Sequence, residues 1–101
     1  MTVEITTLAE LEHFESMSES VVMYAATWCN PCRQFKPHFI RAMEEFNIPS
    51  GIVYVDILEG TTQEEQFTQR HIQSVPTVRY IDNDNHTVLD LKERRVLPFI
   101  K

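Results

Sequence analysis

The sequence is poor in glycine, cysteine and basic residues, and each shortage narrows the class of protein. Only two glycines, Gly51 and Gly60, occur among 101 residues, and no repeat, low-complexity segment or linker is visible. The 15 acidic residues outnumber the nine lysines and arginines, which leaves a formal net charge of -6. A nucleic-acid binder usually carries a basic face, so this balance argues against one. Two cysteines are too few for a secreted scaffold held together by disulfide bonds.

Long apolar runs are also missing. No stretch approaches the roughly 20 apolar residues of a membrane span. The first residues carry acid and lack the basic start and apolar run of a secretory signal. We therefore expect a protein of the reducing cytoplasm, without a membrane or nucleic-acid partner. The basic residues Lys92, Arg94 and Arg95 near the C-terminus are expected to form a solvated tail.

What remains has the composition of a folded protein with one modest core. Hydrophobic residues make up 43% of the chain, which is ordinary for a globular domain. We expect residues 1–101 to form a single domain. The tail is hard to interpret, because Pro98 permits at most a short helix on either side of it.

Apolar periodicity predicts eight elements in the order β-α-β-α-β-α-β-β. The predicted strands are 3–5, 20–26, 51–57, 77–82 and 87–91. Capping boxes at Thr7 with Glu10, and at Thr61 with Glu64, open the first and third helices. The second helix is predicted at 32–46, with an apolar stripe and a kink at Pro37. This order indicates an α/β domain, with a central mixed sheet of four to five strands flanked by helices.

Both cysteines lie in one short motif, Cys29-Asn30-Pro31-Cys32, between a predicted buried strand and a predicted helix. The N–H groups and dipole at a helix N-terminus favour a thiolate over a thiol at Cys29. Pro31 suits the first turn of the helix, where its missing N–H costs nothing. Cys32 is close enough to close a small disulfide ring. The spacing therefore suits a dithiol that opens and closes reversibly.

Two other uses of the cysteines are disfavoured. A zinc site needs four ligands, and only one cysteine pair is present. The histidines, which we expect on the surface, are scattered without ligand spacing: His13, His38, His71 and His86. A structural disulfide that closes so short a loop would stabilise the fold little. We expect neither a metal nor another cofactor, and a strand–Cys-x-x-Cys–helix arrangement favours redox chemistry.

With these motifs in place, the chain resembles the thioredoxin family over about residues 1–91. The match consists of Trp28-Cys29-Asn30-Pro31-Cys32, followed by Arg33 and Pro37, and of Val75-Pro76-Thr77 before a strand. The family's usual form is Trp-Cys-Gly-Pro-Cys-Lys, then a helix-kinking proline, and later Ile-Pro-Thr. The resemblance implies a thioredoxin fold, with a cis proline whose loop lies beside the active disulfide.

The resemblance also implies a function and a set of roles. Cys29 would attack a substrate disulfide, and the more buried Cys32 would resolve the mixed disulfide. Trp28 would shield the sulfur, and Pro76 would hold an extended substrate segment. The expected substrate-binding residues are Trp28, Asn30, Pro31, Val75 and Pro76. The expected activity is protein disulfide reduction by a monomer, with disulfide-containing protein substrates and a thioredoxin-reductase-like electron donor.

The departures from the family pattern concern the core and the substrate groove. Met23 stands where the family has a buried Asp, thought to take a proton from the resolving cysteine, and Ile52 stands where it has the partner Lys. Because both charged residues are replaced together, no unpaired charge is left in the core. We hypothesise that Cys32 deprotonates less readily here, so that resolution is slower near neutral pH. Ser74 replaces a glycine before the cis proline, and the segment between Asp56 and Pro76 is longer than usual.

Two alternative functions remain. One is a glutaredoxin-like reductase coupled to glutathione; Trp28, the N-terminal β-α unit and the lack of a Tyr between the cysteines argue against it. The other is a thioredoxin fold used as a binding or chaperone subunit, with incidental redox activity. Replacement of Cys29 and Cys32 by Ser separates the last from a reductase, because a binding role survives that change.

Overall fold

The computed structural model of the chain describes residues 2–91. Its elements are β1 (Thr2–Ile5), α1 (Leu8–Glu15), β2 (Glu19–Ala25), α2 (Asn30–Met43), β3 (Ser50–Tyr54), α3 (Gln63–Gln69), β4 (Thr77–Asp82) and β5 (Thr87–Leu91). The five strands form one mixed sheet in the order β1-β3-β2-β4-β5. The first three of these strands run parallel, and β4 and β5 are antiparallel additions. The predicted element order and the mixed, helix-flanked sheet are confirmed.

The sheet separates two apolar cores. One face of β2 packs with α2 around both cysteines, and Phe35, Phe39 and Met43 supply the helix stripe that the sequence predicted. The other face packs on a second cluster that includes Leu11 and Phe14 of α1. β2 is buried along six of its seven residues, as expected of a central strand covered on both faces.

The predicted bounds of α2 were wrong at both ends. The helix begins at Asn30, because Cys29 is its extended N-cap, and it ends at Met43 instead of residue 46. Beyond Met43 the amides of Glu45 and Phe46 bond to carbonyls three residues back, both at 3.2 Å, so the chain tightens out of the α-helix. Phe46 still packs against the α2 core from this turn, which explains why the apolar stripe overran the helix.

The cap of α3 was predicted one residue early. The capping box is formed by Thr62 and Glu65, whereas Thr61 with Glu64 was expected. The sequence Thr-Thr-Gln-Glu-Glu contains both pairings in overlapping register, so the motif alone could not choose between them. The box of α1, from Thr7 to Glu10, is confirmed.

The third strand is shorter than predicted. β3 ends at Tyr54, not at residue 57, because the Ile57 amide turns back to the Tyr54 carbonyl at 3.1 Å. Ile57 itself is 63% exposed, so the apolar pattern continued into a surface turn. β1 begins one residue earlier than predicted, β2 begins and ends one residue earlier, and the hairpin strands β4 and β5 match the prediction.

Two expectations on the C-terminal segment lie outside the described residues. These are the solvated basic tail at Lys92, Arg94 and Arg95, and the effect of Pro98 on a short helix. Within residues 2–91, no helix has the length and apolar character needed to cross a membrane.

Candidate active site

Cys29 and Cys32 are joined by a disulfide bond at the start of α2, with their Cα atoms 5.3 Å apart. Cys29 is the N-cap residue, and its sulfur accepts a hydrogen bond from the Cys32 amide at 3.2 Å. Pro31 occupies the first turn, where a missing N–H leaves no broken helix bond. The helix N-terminus therefore directs one of its free donors at the Cys29 sulfur, which favours a negative charge there.

The loop before β4 lies against this disulfide. The Sγ of Cys29 is 3.6 Å from the carbonyl oxygen of Val75. The next peptide bond, between Val75 and Pro76, is cis, as the resemblance implied. Since the loop is 46 residues away in sequence, the fold brings the two predicted motifs to one place.

The two sulfurs are shielded, while their surroundings are accessible. Cys29 is 4% exposed and Cys32 is 1% exposed, so the disulfide presents little area to solvent. Asn30 and Pro31 lie exposed in the first turn of α2. Val75 and Pro76 are half-buried. These residues form a rim around a recessed reactive bond.

Trp28 forms the most prominent part of this rim. Its side chain is 58% exposed, so it is not a core tryptophan. The indole Nε1 donates a hydrogen bond of 2.7 Å to the side-chain oxygen of Gln63, at the start of α3. An exposed aromatic ring that is held by one polar contact offers a flat apolar surface beside the disulfide.

A polar network fixes the backbone that precedes the cysteines. The Thr27 amide donates to the Asp56 carboxylate at 2.9 Å, and the Thr27 hydroxyl donates to the other carboxylate oxygen. The Arg33 guanidinium donates to the Thr27 carbonyl at 2.7 Å. Both polar groups of the Thr27 backbone are thus bonded to side chains, which restrains the loop that carries Trp28 and Cys29.

Met23 and Ile52 pair directly across β2 and β3. They are 0% and 3% exposed, and they belong to the same apolar cluster as Cys29 and Cys32. The two positions at which the family has opposite charges are therefore occupied by two apolar side chains that lie directly opposite each other on neighbouring strands. The apolar cluster around Cys32 therefore contains no charged side chain at these two positions.

The sequence reasoning missed Gln63 and Thr27 as parts of this site. Gln63 carries no local signal, because its partner Trp28 lies 35 residues away. Thr27 and Asp56 could have been found, because they follow two neighbouring parallel strands, and the carboxyl ends of such strands meet at one edge.

Metal ligands are not clustered in the part of the chain that the structure describes. Residues 2–91 contain no group of three His, Cys, Asp or Glu side chains placed to hold an ion. All four histidines are exposed, in agreement with the prediction that they lie on the surface.

Comparison with known proteins gives one consistent family. The family model described as Thioredoxin matches residues 4–97. A thioredoxin from Mycoplasma genitalium is 31% identical over 84 residues, which cover 82% of this chain and 78% of that protein. Thioredoxin-3 from Dictyostelium discoideum is 32% identical over 81 residues, covering 80% and 74% of the two chains.

Solved structures agree with the fold. The crystal structure of Schistosoma mansoni thioredoxin superposes with a TM-score of 0.79 at 27% identity, covering 98% of this chain and 92% of that one. Oxidised thioredoxin O2 from Arabidopsis thaliana gives a TM-score of 0.74 at 21% identity, with coverage of 98% and 90%, and supports the fold alone.

Proposed function

This chain belongs to the thioredoxin family, and we propose that Cys29 and Cys32 divide the work of reducing protein disulfides between them. The activity itself is that of a thiol–disulfide oxidoreductase, a thioredoxin-like disulfide reductase. The observation that carries the assignment of roles is the Cys29–Cys32 disulfide at the N-terminus of α2. Cys29 is the N-cap and receives the helix N–H bond, so it is the better thiolate and the attacking sulfur.

The dithiol of Cys29 and Cys32 supplies both electrons that the reaction needs. The Cys29 thiolate attacks one sulfur of the substrate disulfide, which forms a mixed disulfide and releases the other substrate sulfur as a thiolate that takes a proton from solvent. The Cys32 thiolate then attacks Cys29, which closes the protein disulfide and releases the second substrate thiol. Two electrons pass from the protein to the substrate. The oxidised protein returns to the dithiol by exchange with an external dithiol donor.

The rim residues are proposed to bind the substrate chain. Trp28 offers its exposed face. The Val75 carbonyl, 3.6 Å from the Cys29 sulfur, is placed to accept a backbone hydrogen bond from an extended segment. Pro76, which lacks an N–H, lies on one side of the rim, and Asn30 and Pro31 lie on the other side.

The electron donor, the compartment and the oligomeric state belong to the same proposal. A flavoprotein of the thioredoxin-reductase type is the proposed donor, because the recessed disulfide needs a partner that docks on its rim. A reducing cytoplasm would keep the dithiol available. We propose a monomer, because the rim around the disulfide must stay open to the substrate.

The reduction potential of the Cys29–Cys32 pair tests the direction of electron flow. The protein is equilibrated in dithiothreitol and glutathione buffers, its thiols are alkylated and the mass is read at each point. A two-electron transition near the thioredoxin range of roughly -270 mV supports a reductase. A transition at about -120 to -180 mV would instead indicate an oxidant or isomerase.

Two single variants test the assignment of roles. Cys32→Ser should accumulate a mixed disulfide with a model substrate, because the resolving sulfur is gone. Cys29→Ser should form none with the same substrate. If Cys32 traps the substrate when Cys29 is absent, and Cys29 does not when Cys32 is absent, the roles are reversed.

A further inference from the structure

The cations of the described chain are distributed unevenly. Residues 2–91 contain every one of the chain's 15 acidic residues except Glu93, but only five of its nine lysines and arginines. Two of the five are paired with carboxylates, Arg70 with Glu15 at 2.7 Å and Arg79 with Asp90 at 2.6 Å. The other three lie on one helix, α2: Arg33, Lys36 and Arg41.

No acidic residue interrupts this helix, which spans Asn30–Met43. Arg33 and Arg41 are exposed, and Lys36 is half-buried with its ammonium 5.6 Å from the centre of the Tyr54 ring. None of the three is in an ion pair within residues 2–91. Arg33 bonds only a backbone carbonyl, so none of the three charges is neutralised by an ion pair within residues 2–91, and Glu44 and Glu45 are the carboxylates that follow next after the helix.

The reactive bond lies at the end of this basic face. The helix begins immediately after Cys29, so its positive dipole end and the Arg33 and Lys36 side chains are within two turns of the disulfide. The remainder of the described surface is dominated by carboxylates. Within residues 2–91, carboxylates outnumber the cations, so this part of the surface repels an acidic partner in most places and attracts it along α2.

We propose that the exposed face of α2 is a docking surface for protein substrates that carry acidic residues beside their disulfide. This inference rests on the proposed reductase function and adds the charge class of its substrate. Attraction along α2 orients the substrate so that its disulfide meets Cys29. Because the three cations are exposed or half-exposed, the preference weakens with salt.

The test uses three synthetic single-cysteine peptides, each oxidised to its disulfide dimer. The cysteine is flanked by aspartates in the first peptide, by lysines in the second and by serines in the third. The dithiol form of the protein reduces each dimer to two peptide thiols, and the rate constant is measured at 20 mM and 500 mM NaCl. We expect the acidic dimer to react about tenfold faster than the lysine dimer at low salt, within the range of electrostatic steering. At high salt the two rates should converge.

Matched variants locate the effect on the helix. Lys36→Gln/Arg41→Gln removes two charges from α2 and should lower the ratio of the acidic to the serine dimer severalfold. Ser18→Asp/Gln69→Glu makes the same change in net charge at exposed positions outside α2, and should keep most of that ratio.

The outcomes distinguish failure of the docking proposal from failure of the proposed reductase function. If no dimer is reduced, the reductase proposal itself fails. If all three are reduced at equal rates at low salt, or if the two double variants lower the ratio equally, docking of acidic substrates on α2 is wrong while the reductase function stands. Faster reduction of the lysine dimer would also overturn the docking proposal.

Discussion

Met23 is a single side chain whose identity bears on the rate of the resolving step. It is fully buried and faces Ile52 in the apolar cluster that contains Cys32. Neither Met23 nor Ile52 has a group that can accept a proton from Cys32. Our hypothesis is that deprotonation of Cys32 then relies on solvent, to which the residue is only 1% exposed in the disulfide form.

We predict that Met23→Asp accelerates resolution of the mixed disulfide near neutral pH. A positioned general base typically contributes about 100-fold or more to a rate, so the gain should be large enough to measure. The unpaired carboxylate should also cost about 3 kcal/mol or more of stability. Single-turnover kinetics measures the first effect, and urea unfolding measures the second.

Two further variants control for the damage to the core. Met23→Asn places a neutral polar group of similar size there and should give no acceleration. Met23→Asp/Ile52→Lys supplies the opposite charge at the paired position and should recover part of the lost stability. An unchanged resolving rate in both aspartate variants would contradict the hypothesis.

Gln63 acts on the site through Trp28. Its side-chain oxygen accepts the only side-chain hydrogen bond that the structure gives the indole within residues 2–91. We predict that Gln63→Ala raises KM for a protein disulfide severalfold and changes kcat little, because the ring loses its fixed position and the sulfurs do not. Trp28 is the only tryptophan, so its fluorescence should shift in the same variant.

Gln63→Glu keeps an acceptor for the indole and should restore both KM and the emission. Glu64→Ala removes a neighbouring side chain on the same turn and serves as the control. Equal effects from Glu64→Ala and Gln63→Ala would show that the hydrogen bond does not position the ring.

At the scale of elements, the sequence predicted which helices and strands exist better than where they end. The strands β4 and β5 were predicted to the residue, because the polar turn between them marks where the first ends and the second begins. The start of α3 and the end of α2 were missed for separate reasons. The sequence allows a capping box to begin at either Thr61 or Thr62, and the structure forms the second. The apolar stripe of α2 continues beyond the helix to Phe46 through a tighter turn.

The cap of α3 makes part of the stability depend on pH. The Thr62 amide donates to the Glu65 carboxylate at 2.9 Å, and this bond with those of the Thr61 and Thr62 hydroxyls holds the pKa of Glu65 below its ordinary 4.5. The stabilisation is therefore fully present above pH 4.5, and it is lost as the pH falls through the lowered value.

We predict that Glu65→Gln lowers the free energy of unfolding at pH 7 and that the difference from the parent protein shrinks at pH 3. Urea unfolding at the two pH values measures it. Glu64→Gln, one residue away and outside the capping box, is the control and should show little difference at either pH. A difference for Glu65→Gln that stays constant with pH would show that the carboxylate charge does not contribute.

Gly51 lies in β3 beside β1, close to the side chains of Ile5 and of Phe14 in α1. A Cβ at this position would come within 2.6 Å of Ile5 Cδ1 and 3.5 Å of the Phe14 ring. We predict that Gly51→Ala destabilises the fold by about 1–3 kcal/mol, the usual cost of overpacking. Ile5→Val removes the clashing methyl, so a double-mutant cycle should show the two changes partly compensating. Strict additivity would mean that the strain lies elsewhere.

At the scale of the whole molecule, the candidate site was predicted where residues belong to recognisable motifs, and it was missed where contacts join residues that no motif marks, such as Thr27 with Asp56. The disulfide and the cis-proline loop came from two motifs that the fold joins. Two chain-specific features, the basic face of α2 and the Trp28–Gln63 bond, do not follow from the sequence pattern. The first depends on which cations are already paired, and the second depends on how a longer segment returns to the site.

The two ion pairs of the described chain make unequal contributions to its stability. Arg70 binds Glu15 through two nitrogens, at 2.7 and 2.8 Å, and the buried Tyr24 hydroxyl donates to the same carboxylate at 2.5 Å. This network ties α1 to α3 across β2. The Arg79–Asp90 pair, by contrast, leaves Asp90 63% exposed, so that carboxylate stays solvated without its partner.

We predict that Arg70→Met costs about 2 kcal/mol or more, because it strands the Glu15 carboxylate beside Tyr24 with one donor instead of three. Arg79→Met should cost less than about 1 kcal/mol, as expected of a pair with an exposed partner. Urea unfolding of the two variants measures the contrast. In Glu15→Gln/Arg70→Met no charge is left unpaired, so this double variant should be more stable than Arg70→Met alone. If the double variant is instead the less stable of the two, the cost arises from lost packing of the arginine stem, and the network does not hold the two helices together through charge.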